Sequence, residues 1–474
     1  MKINFDKSFW FGTSTSGPQS EGWKNKKNDN IMDTWFKERP EDFFDKIGPN
    51  IASNVYSQYD EDIQMMAKIK LNSFRTSIQW SRLINNFDTQ EINIDAVKFY
   101  RDYFEQLRNK NITLMVNLYH FDMPQILQDR GGWENKEVVD LFVKYATKCF
   151  ELFGDLVDYW ATFNEPVVPA EAGYLYKWHY PFISDLKKAV QVGYNTILAH
   201  SKTVKVFHEL FKNDLNKKIS IILNLTPCYP KTNKEEDVKA SHIVDLFFNK
   251  SFLDPVIKGK FPIDFVKLLK SENLLPECNR DELKIIRENI IDILAVNYYQ
   301  PRRAKARDTQ FSGPLMPEKW FETYNWPEAR INPYRGWEIY PRTIYDIAKD
   351  IKDNYNNFPW FISENGMGVQ GEEKFVKNGI INDQYRIDFI KEHLYWLNKA
   401  IADNSNCLGY QIWTFVDCWS WNNAYKNRYG LVYLDLETQK RIIKESGYWM
   451  KKMIENNNMF ELTNEEVEKY ESIK

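Results

Sequence analysis

Eight short, apolar, β-rich runs recur along this chain, separated by longer amphipathic stretches, and that alternation leaves few folds open. The runs start near Trp10-Phe11-Gly12, Ser73-Phe74-Arg75, Leu114-Met115-Val116, Tyr159-Trp160-Ala161, Ser220-Ile221-Ile222, Ile293-Leu294-Ala295, Trp360-Phe361-Ile362 and Tyr410-Gln411-Ile412. Near-continuous apolar runs suit parallel strands buried on both faces. Between them apolar residues return with a helical period. Tyr56, Tyr59, Ile63 and Met66 share one face, as do Val97, Tyr100, Phe104 and Leu107, and Val138, Phe142, Tyr145 and Cys149. Strands alternating with helices in this number predict an α/β fold, a single (β/α)8 TIM barrel. The chain is long for a bare barrel, so the surplus falls in long loops after the strands. The aromatic stretch from Pro301 to Tyr340 is the largest. No low-complexity linker divides the chain, and residues 1–474 read as one catalytic barrel domain.

Composition removes several classes of function. The formal net charge is −3, with no basic stripe for nucleic acid. No run approaches the length of a membrane span, and the start Met1-Lys2-Ile3-Asn4-Phe5-Asp6 lacks a signal-peptide core. Five widely spaced cysteines form no C-x-x-C pair, so neither a disulfide framework nor a zinc site is indicated. The histidines show no H-x-H or H-x-x-x-H spacing, which argues against a metal. A cytoplasmic enzyme without metal or cofactor is the simplest reading. An aromatic content of 16% leans toward carbohydrate, because rings stack on the apolar faces of sugars.

A barrel places its chemistry at the carboxyl ends of the strands. Polar residues gather there: Gln19, Arg75, His120, Asn164, Glu165, Asn297, Tyr299, Glu364, Asp417 and Ser420. Two of them are glutamates in short motifs, Asn164-Glu165-Pro166 and Ser363-Glu364-Asn365-Gly366. Two carboxyl groups facing each other across a glycosidic bond are the minimum equipment for its hydrolysis. Each motif alone has a plain alternative. Asn-Glu-Pro is often a helix start, Asn-Gly favours a tight turn, Arg75 could be a structural ion pair and His120 a core histidine. One active site explains all of them together.

The motifs Gln19-Ser20-Glu21-Gly22, Phe74-Arg75-Thr76-Ser77, Tyr119-His120-Phe121-Asp122, Asn164-Glu165-Pro166, Asn297-Tyr298-Tyr299, Glu364-Asn365-Gly366 and Arg428-Tyr429-Gly430 occur in order. With them the chain resembles glycoside hydrolase family 1, and within it bacterial 6-phospho-β-glucosidases. The resemblance implies a retaining mechanism, with carboxyl groups about 5–5.5 Å apart. Glu364 would be the nucleophile, held ionised by Arg75 and oriented by Tyr299. Glu165 would be the acid/base, its pKa raised by the charge of Glu364, with Pro166 keeping its backbone extended. Asn164 would meet the sugar 2-hydroxyl. Gln19 and His120 would bind the other hydroxyls, Trp413 would floor the sugar and Trp337 would flank the leaving group. His179 and Tyr180 are assigned to the aglycone side.

The resemblance also bears on a phosphate. Where plain β-glucosidases of the family carry a glutamate gripping the 4- and 6-hydroxyls, this chain has Ser420, between Trp419 and Trp421. A carboxylate there would repel a phosphate dianion. The family's phospho-enzymes add a lysine seven positions on and a tyrosine nine positions on. Tyr429 matches the tyrosine, but Asn427 occupies the lysine position and Lys426 precedes it. The expected phosphate set is therefore Ser420, Lys426, Asn427 and Tyr429. The small-molecule substrate is expected to be a 6-phospho-β-D-glucoside, cleaved to glucose 6-phosphate and an aglycone. β-Glucosidase and 6-phospho-β-galactosidase are alternatives on the same scaffold, since Trp421 occurs in both, and an inactive sugar-binding barrel is the non-enzyme alternative. Oligomeric state is not encoded in these features.

Overall fold

A computed structural model describes residues 1–472. Eight parallel strands form a closed barrel: β1 (Trp10–Ser14), β2 (Ser73–Ser77), β3 (Thr113–Asn117), β4 (Tyr159–Asn164), β5 (Lys218–Asn224), β6 (Leu294–Asn297), β7 (Trp360–Asn365) and β8 (Cys407–Trp413). Each contains or adjoins one of the apolar runs identified in the sequence. The barrel closes through β8 and β1, with Gly409 opposite Trp10 and Trp413 opposite Ser14.

The helices carry the stripes expected of them. Helix α1 (Val55–Ile69) buries Ile63 and Met66, and α2 (Ile94–Asn109) buries Tyr100, Phe104 and Leu107. Helix α3 (Lys136–Phe153) buries Val138, Phe142, Tyr145 and Cys149 against the barrel. Asn93 and Asn135 cap α2 and α3, their side-chain oxygens accepting from free backbone N–H groups of the first turn. Among the described residues, no helix is long and apolar enough to cross a membrane.

Two features of the barrel build a site. Its interior is layered. Met115, Ala161, Ile222, Ile293, Ala295 and Phe361 form an apolar plug with Trp10 and Tyr159 packed edge-on beneath, their ring centroids 4.8 Å apart. Above the plug the inward residues turn polar. The ladder is also irregular at that level. The β4–β5 register shifts between Ala161 and Asn164, and the β6–β7 register shifts between Val296 and Asn297, which sets Asn297 opposite Glu364. Such bulges re-aim side chains at strand ends.

Candidate active site

Asn164, Glu165, Asn297, Tyr299 and Glu364 converge above the apolar plug. Arg75, on β2, is fully buried beneath them. Its guanidinium forms an ion pair with Glu364, and its Nη1 donates to Asn164 Oδ1 at 2.9 Å. Tyr299 Oη donates to the other Glu364 oxygen at 2.7 Å. Glu364 therefore has a guanidinium on one oxygen and a phenol on the other, which together fix its orientation. Asn297 Nδ2 bridges the two carboxyl systems, donating to Asn164 Oδ1 at 3.0 Å and to Glu165 Oε1 at 2.8 Å. With its oxygen occupied by Arg75 and Asn297, and its Nδ2 3.4 Å from His120 Nε2, Asn164 keeps one amide N–H for a further partner.

The two glutamates have different surroundings. Burial, then the charge of Glu364, pushes the Glu165 carboxyl up to about 8; Asn297 and Arg75 act in the opposite direction. The sequence reading gave the whole task to Glu364, whereas desolvation is the larger cause. A second correction concerns backbone. Glu165 is not extended ahead of Pro166 but has φ of +45°. Its N–H donates to Ile222 O on β5, and its carbonyl accepts from Val168 N, each at 2.8 Å. These bonds hold a conformation that a non-glycine residue adopts rarely and mostly where function requires it.

Glu364-Asn365-Gly366 is not a tight turn. Glu364 and Asn365 complete β7, and Asn365 ties the barrel together, donating to Tyr298 O at 2.7 Å and accepting from Tyr410 Oη at 2.6 Å. Gly366 is required by proximity, since a Cβ there would lie 2.2 Å from Trp413 O.

The carboxyl pair opens into a cavity of about 850 Å³, which also receives Gln19, His120, Trp337, Trp413, Ser420, Trp421 and Tyr429. Gln19 is oriented by Ser16 Oγ, which donates to its Oε1 at 2.8 Å, and by its own donation to Trp419 O at 2.9 Å. His120 lies parallel to Trp413 and Trp421, with centroids 5.9 and 6.1 Å apart. Burial, and then Arg75, pushes its imidazole well below the usual range, so it is neutral. Trp337 packs on Tyr299 at 5.3 Å. The Pro301–Tyr340 stretch lines the cavity through Tyr324, Trp326, Arg335 and Trp337, and His179 reaches it as well. Tyr180 instead accepts from Gln125.

Three expected residues lie elsewhere. Lys426 does not line the cavity; its ammonium sits 5.7 Å from the Phe44 ring centroid. Asn427 also points away, accepting from Asn423 and donating to Tyr334 O. Asp417 is buried beside Lys444, 3.0 Å away, and accepts from Gly430 N at 2.8 Å. It holds the loop that carries Tyr429 rather than facing the cavity. Two cavity residues had been given no role. Asn297 was visible only as a polar residue at a strand end, and Arg335 only as a cation two places before Trp337.

The comparisons agree with this geometry. The family model described as Glycosyl hydrolase family 1 matches residues 1–459. The chain is 50% identical over 461 residues to the 6-phospho-β-glucosidase GmuD of Bacillus subtilis, covering 96% of this chain and 98% of the relative. It is 34% identical to a 6-phospho-β-galactosidase of Clostridium acetobutylicum, covering 95% and 97%. A family 1 β-glucosidase structure from Thermotoga maritima superposes with a TM-score of 0.87 at 34% identity, covering 96% of this chain and 99% of that one. Barrel, strand-end carboxyl groups and matches along almost the full length lead to one assignment: this chain belongs to glycosyl hydrolase family 1.

Proposed function

We propose that the protein is a retaining β-glycosidase that hydrolyses 6-phospho-β-D-glucosides, and that residues 1–474 form its single catalytic domain. The observation that carries the hydrolytic part is the asymmetry of the glutamates. Glu364 is fixed by a guanidinium and a phenol, while burial and a neighbouring charge keep a proton on Glu165 up to about pH 8. In the first step a Glu364 oxygen attacks the anomeric carbon as the bond to the leaving group breaks. Glu165 delivers its proton to the departing oxygen. Glu364 is then an ester and carries no charge, so one of the two causes raising Glu165 disappears. Glu165, now a carboxylate, removes a proton from water, and the resulting hydroxide equivalent releases the sugar and frees Glu364. Asn164 offers its amide N–H to the 2-hydroxyl. Gln19 and His120 bind the outer hydroxyls against the Trp413 face.

The phosphate part is supported by the absence of a carboxylate at Ser420 and by Ser420 and Tyr429, two hydroxyl-bearing residues, both lining the cavity. Relatives named for 6-phospho-β-glycosides at 50% and 34% identity point the same way. The five cysteines are all free thiols, as suits the cytoplasm where phosphorylated sugars are kept. The deciding measurement compares kcat/KM for 4-nitrophenyl β-D-glucoside with and without a 6-phosphate. The phosphorylated compound is expected to be favoured by at least ~100-fold. A higher value on the plain glucoside would reject the phosphate reading and leave a β-glucosidase.

A further inference from the structure

A phosphate dianion bound in a protein cavity calls for a cation, and the lysine expected from the sequence does not line this one. An inventory of cavity charges shows what replaces it. Three arginines line the cavity: Arg302, Arg303 and Arg335. Arg302 is paired with Glu171 at 2.8 Å and Arg303 with Glu338 at 2.7 Å. Arg75, beneath the floor, is paired with Glu364. Among the described residues, Arg335 alone of these has no carboxylate within ion-pair distance. Its Nε is buried without a hydrogen-bond partner. A buried, unpaired guanidinium N–H is costly, and a cavity that keeps one is suited to an anion.

The surroundings of Arg335 hold it in place. Asn332 is buried and organises its turn. Asn332 Oδ1 accepts from Tyr334 N at 3.0 Å, Asn332 O accepts from Gly336 N at 2.8 Å, and Asn332 N donates to Trp337 O at 2.8 Å. Its Nδ2 donates to Gly368 O at 3.0 Å, clamping this turn to the loop after β7. Gly368 in turn admits the Tyr429 ring, since a Cβ there would lie 2.7 Å from the phenol oxygen. The guanidinium stacks over Trp337, with Cζ 4.4 Å from the ring centroid. It also lies near enough to Tyr429 for its charge to oppose the rise that burial imposes on that phenol. Arg335, Tyr429 and Ser420 thus line the same cavity, and the turn holding Arg335 is preorganised.

The geometry points to Arg335 as the phosphate-binding cation of this enzyme, acting with the hydroxyls of Ser420 and Tyr429 in place of a lysine from the loop after β8. The assignment rests on the phosphate reading above. It adds a specificity-determining residue carried by a different loop, the one after β6. A planar fork of donors suits two phosphate oxygens at once, which a lone ammonium cannot match. Its contacts run toward the carboxyl end of the cavity: Arg335 stacks on Trp337, Trp337 packs on Tyr299, and Tyr299 donates to Glu364.

The test uses the full-length enzyme with both aryl glucosides, and competitive inhibition by glucose 6-phosphate as a readout independent of turnover. Arg335→Met should lower kcat/KM on the phosphorylated glucoside by about 100-fold and weaken glucose 6-phosphate by a similar factor. The plain glucoside should change by less than about threefold. Arg335→Lys should recover part of the loss, because charge returns without the fork. Lys426→Met should match the wild type. An equal fall on both substrates would mean that Arg335 only supports its loop, and would overturn the assignment. So would a loss in Lys426→Met but not in Arg335→Met. A wild type that prefers the plain glucoside would fail the phosphate reading itself; a wild-type phosphate preference that survives Arg335→Met would fail this assignment alone.

Discussion

The two ends of the cavity are built by different means. The carboxyl end stands mainly on strands and strand ends. Arg75, Asn164, Asn297 and Glu364 are each held by the barrel ladder and buried to 4% exposure or less. The proposed phosphate end stands on loops. Arg335 comes from the stretch after β6, and Ser420 and Tyr429 from the loop after β8. In the first region a side chain's direction follows from the two-residue period of a strand and a few bulges. In the second it follows from turns, where a shift of one residue changes which side chain faces inward. The first region therefore combines stability with catalysis, and the second can alter specificity with little effect on the fold.

The contrast can be broken most severely at Arg75. Arg75→Met removes the partner of a buried carboxylate and a donor to Asn164. It is expected to cost about 3–5 kcal/mol of stability and at least ~10³-fold in kcat on either substrate. Thermal unfolding and kinetics on one preparation check both. If activity fell while stability held, the barrel centre would be less integrated than its hydrogen bonds indicate. At the other end, Ser420→Glu places an anion where the phosphate is proposed to bind. The ratio of kcat/KM for phosphorylated over plain glucoside should drop about 30- to 100-fold, with the melting temperature unmoved. A loss shared by both substrates would make Ser420 part of the general sugar site.

The smallest effect concerns protons. Because burial and Glu364 raise Glu165, its acid form persists to about pH 8 and is lost above it. The kcat/KM profile should accordingly descend on an alkaline limb near that pH. Above about pH 7 the substrate phosphate is already dianionic and adds no limb of its own. The same shift has a sign for stability. The unfolded chain releases this proton near 4.5, the ordinary value, while the fold keeps it to about 8, so the folded state loses relative stability as pH rises through that window. Glu165→Gln removes the penalty. At pH 8 it should melt about 1–3 °C higher than the wild type while losing the alkaline limb. A lower melting temperature would show that the carboxyl is not under this strain.

Most of the barrel centre was legible in the sequence for a simple reason. Apolar runs buried on both faces announce strands, and a barrel confines its chemistry to their carboxyl ends. Glu165, Glu364, Arg75 and Tyr299 could be picked out on that basis together with the family motifs. Asn297 was placed at a strand end but given no role, because its role is relational: among the described residues it alone donates to both Asn164 and Glu165, and that depends on the β6–β7 register shift. The φ of Glu165 was misread because a local rule about residues before proline yielded to two backbone hydrogen bonds from the tertiary structure.

The linear chain by itself determined the strands, their helices, the two acidic motifs and the family, all of which rest on local periodicity or short contiguous patterns. Tertiary structure decided what shares the cavity: that Lys426 turns toward Phe44, that Asp417 serves a buried ion pair, and that Arg335 arrives unpaired beside Tyr429 from another loop. The reason is physical. Hydrophobic period fixes which face of an element is buried, whereas charge neutralisation in a cavity depends on distances between segments remote in sequence, which only the closed fold sets.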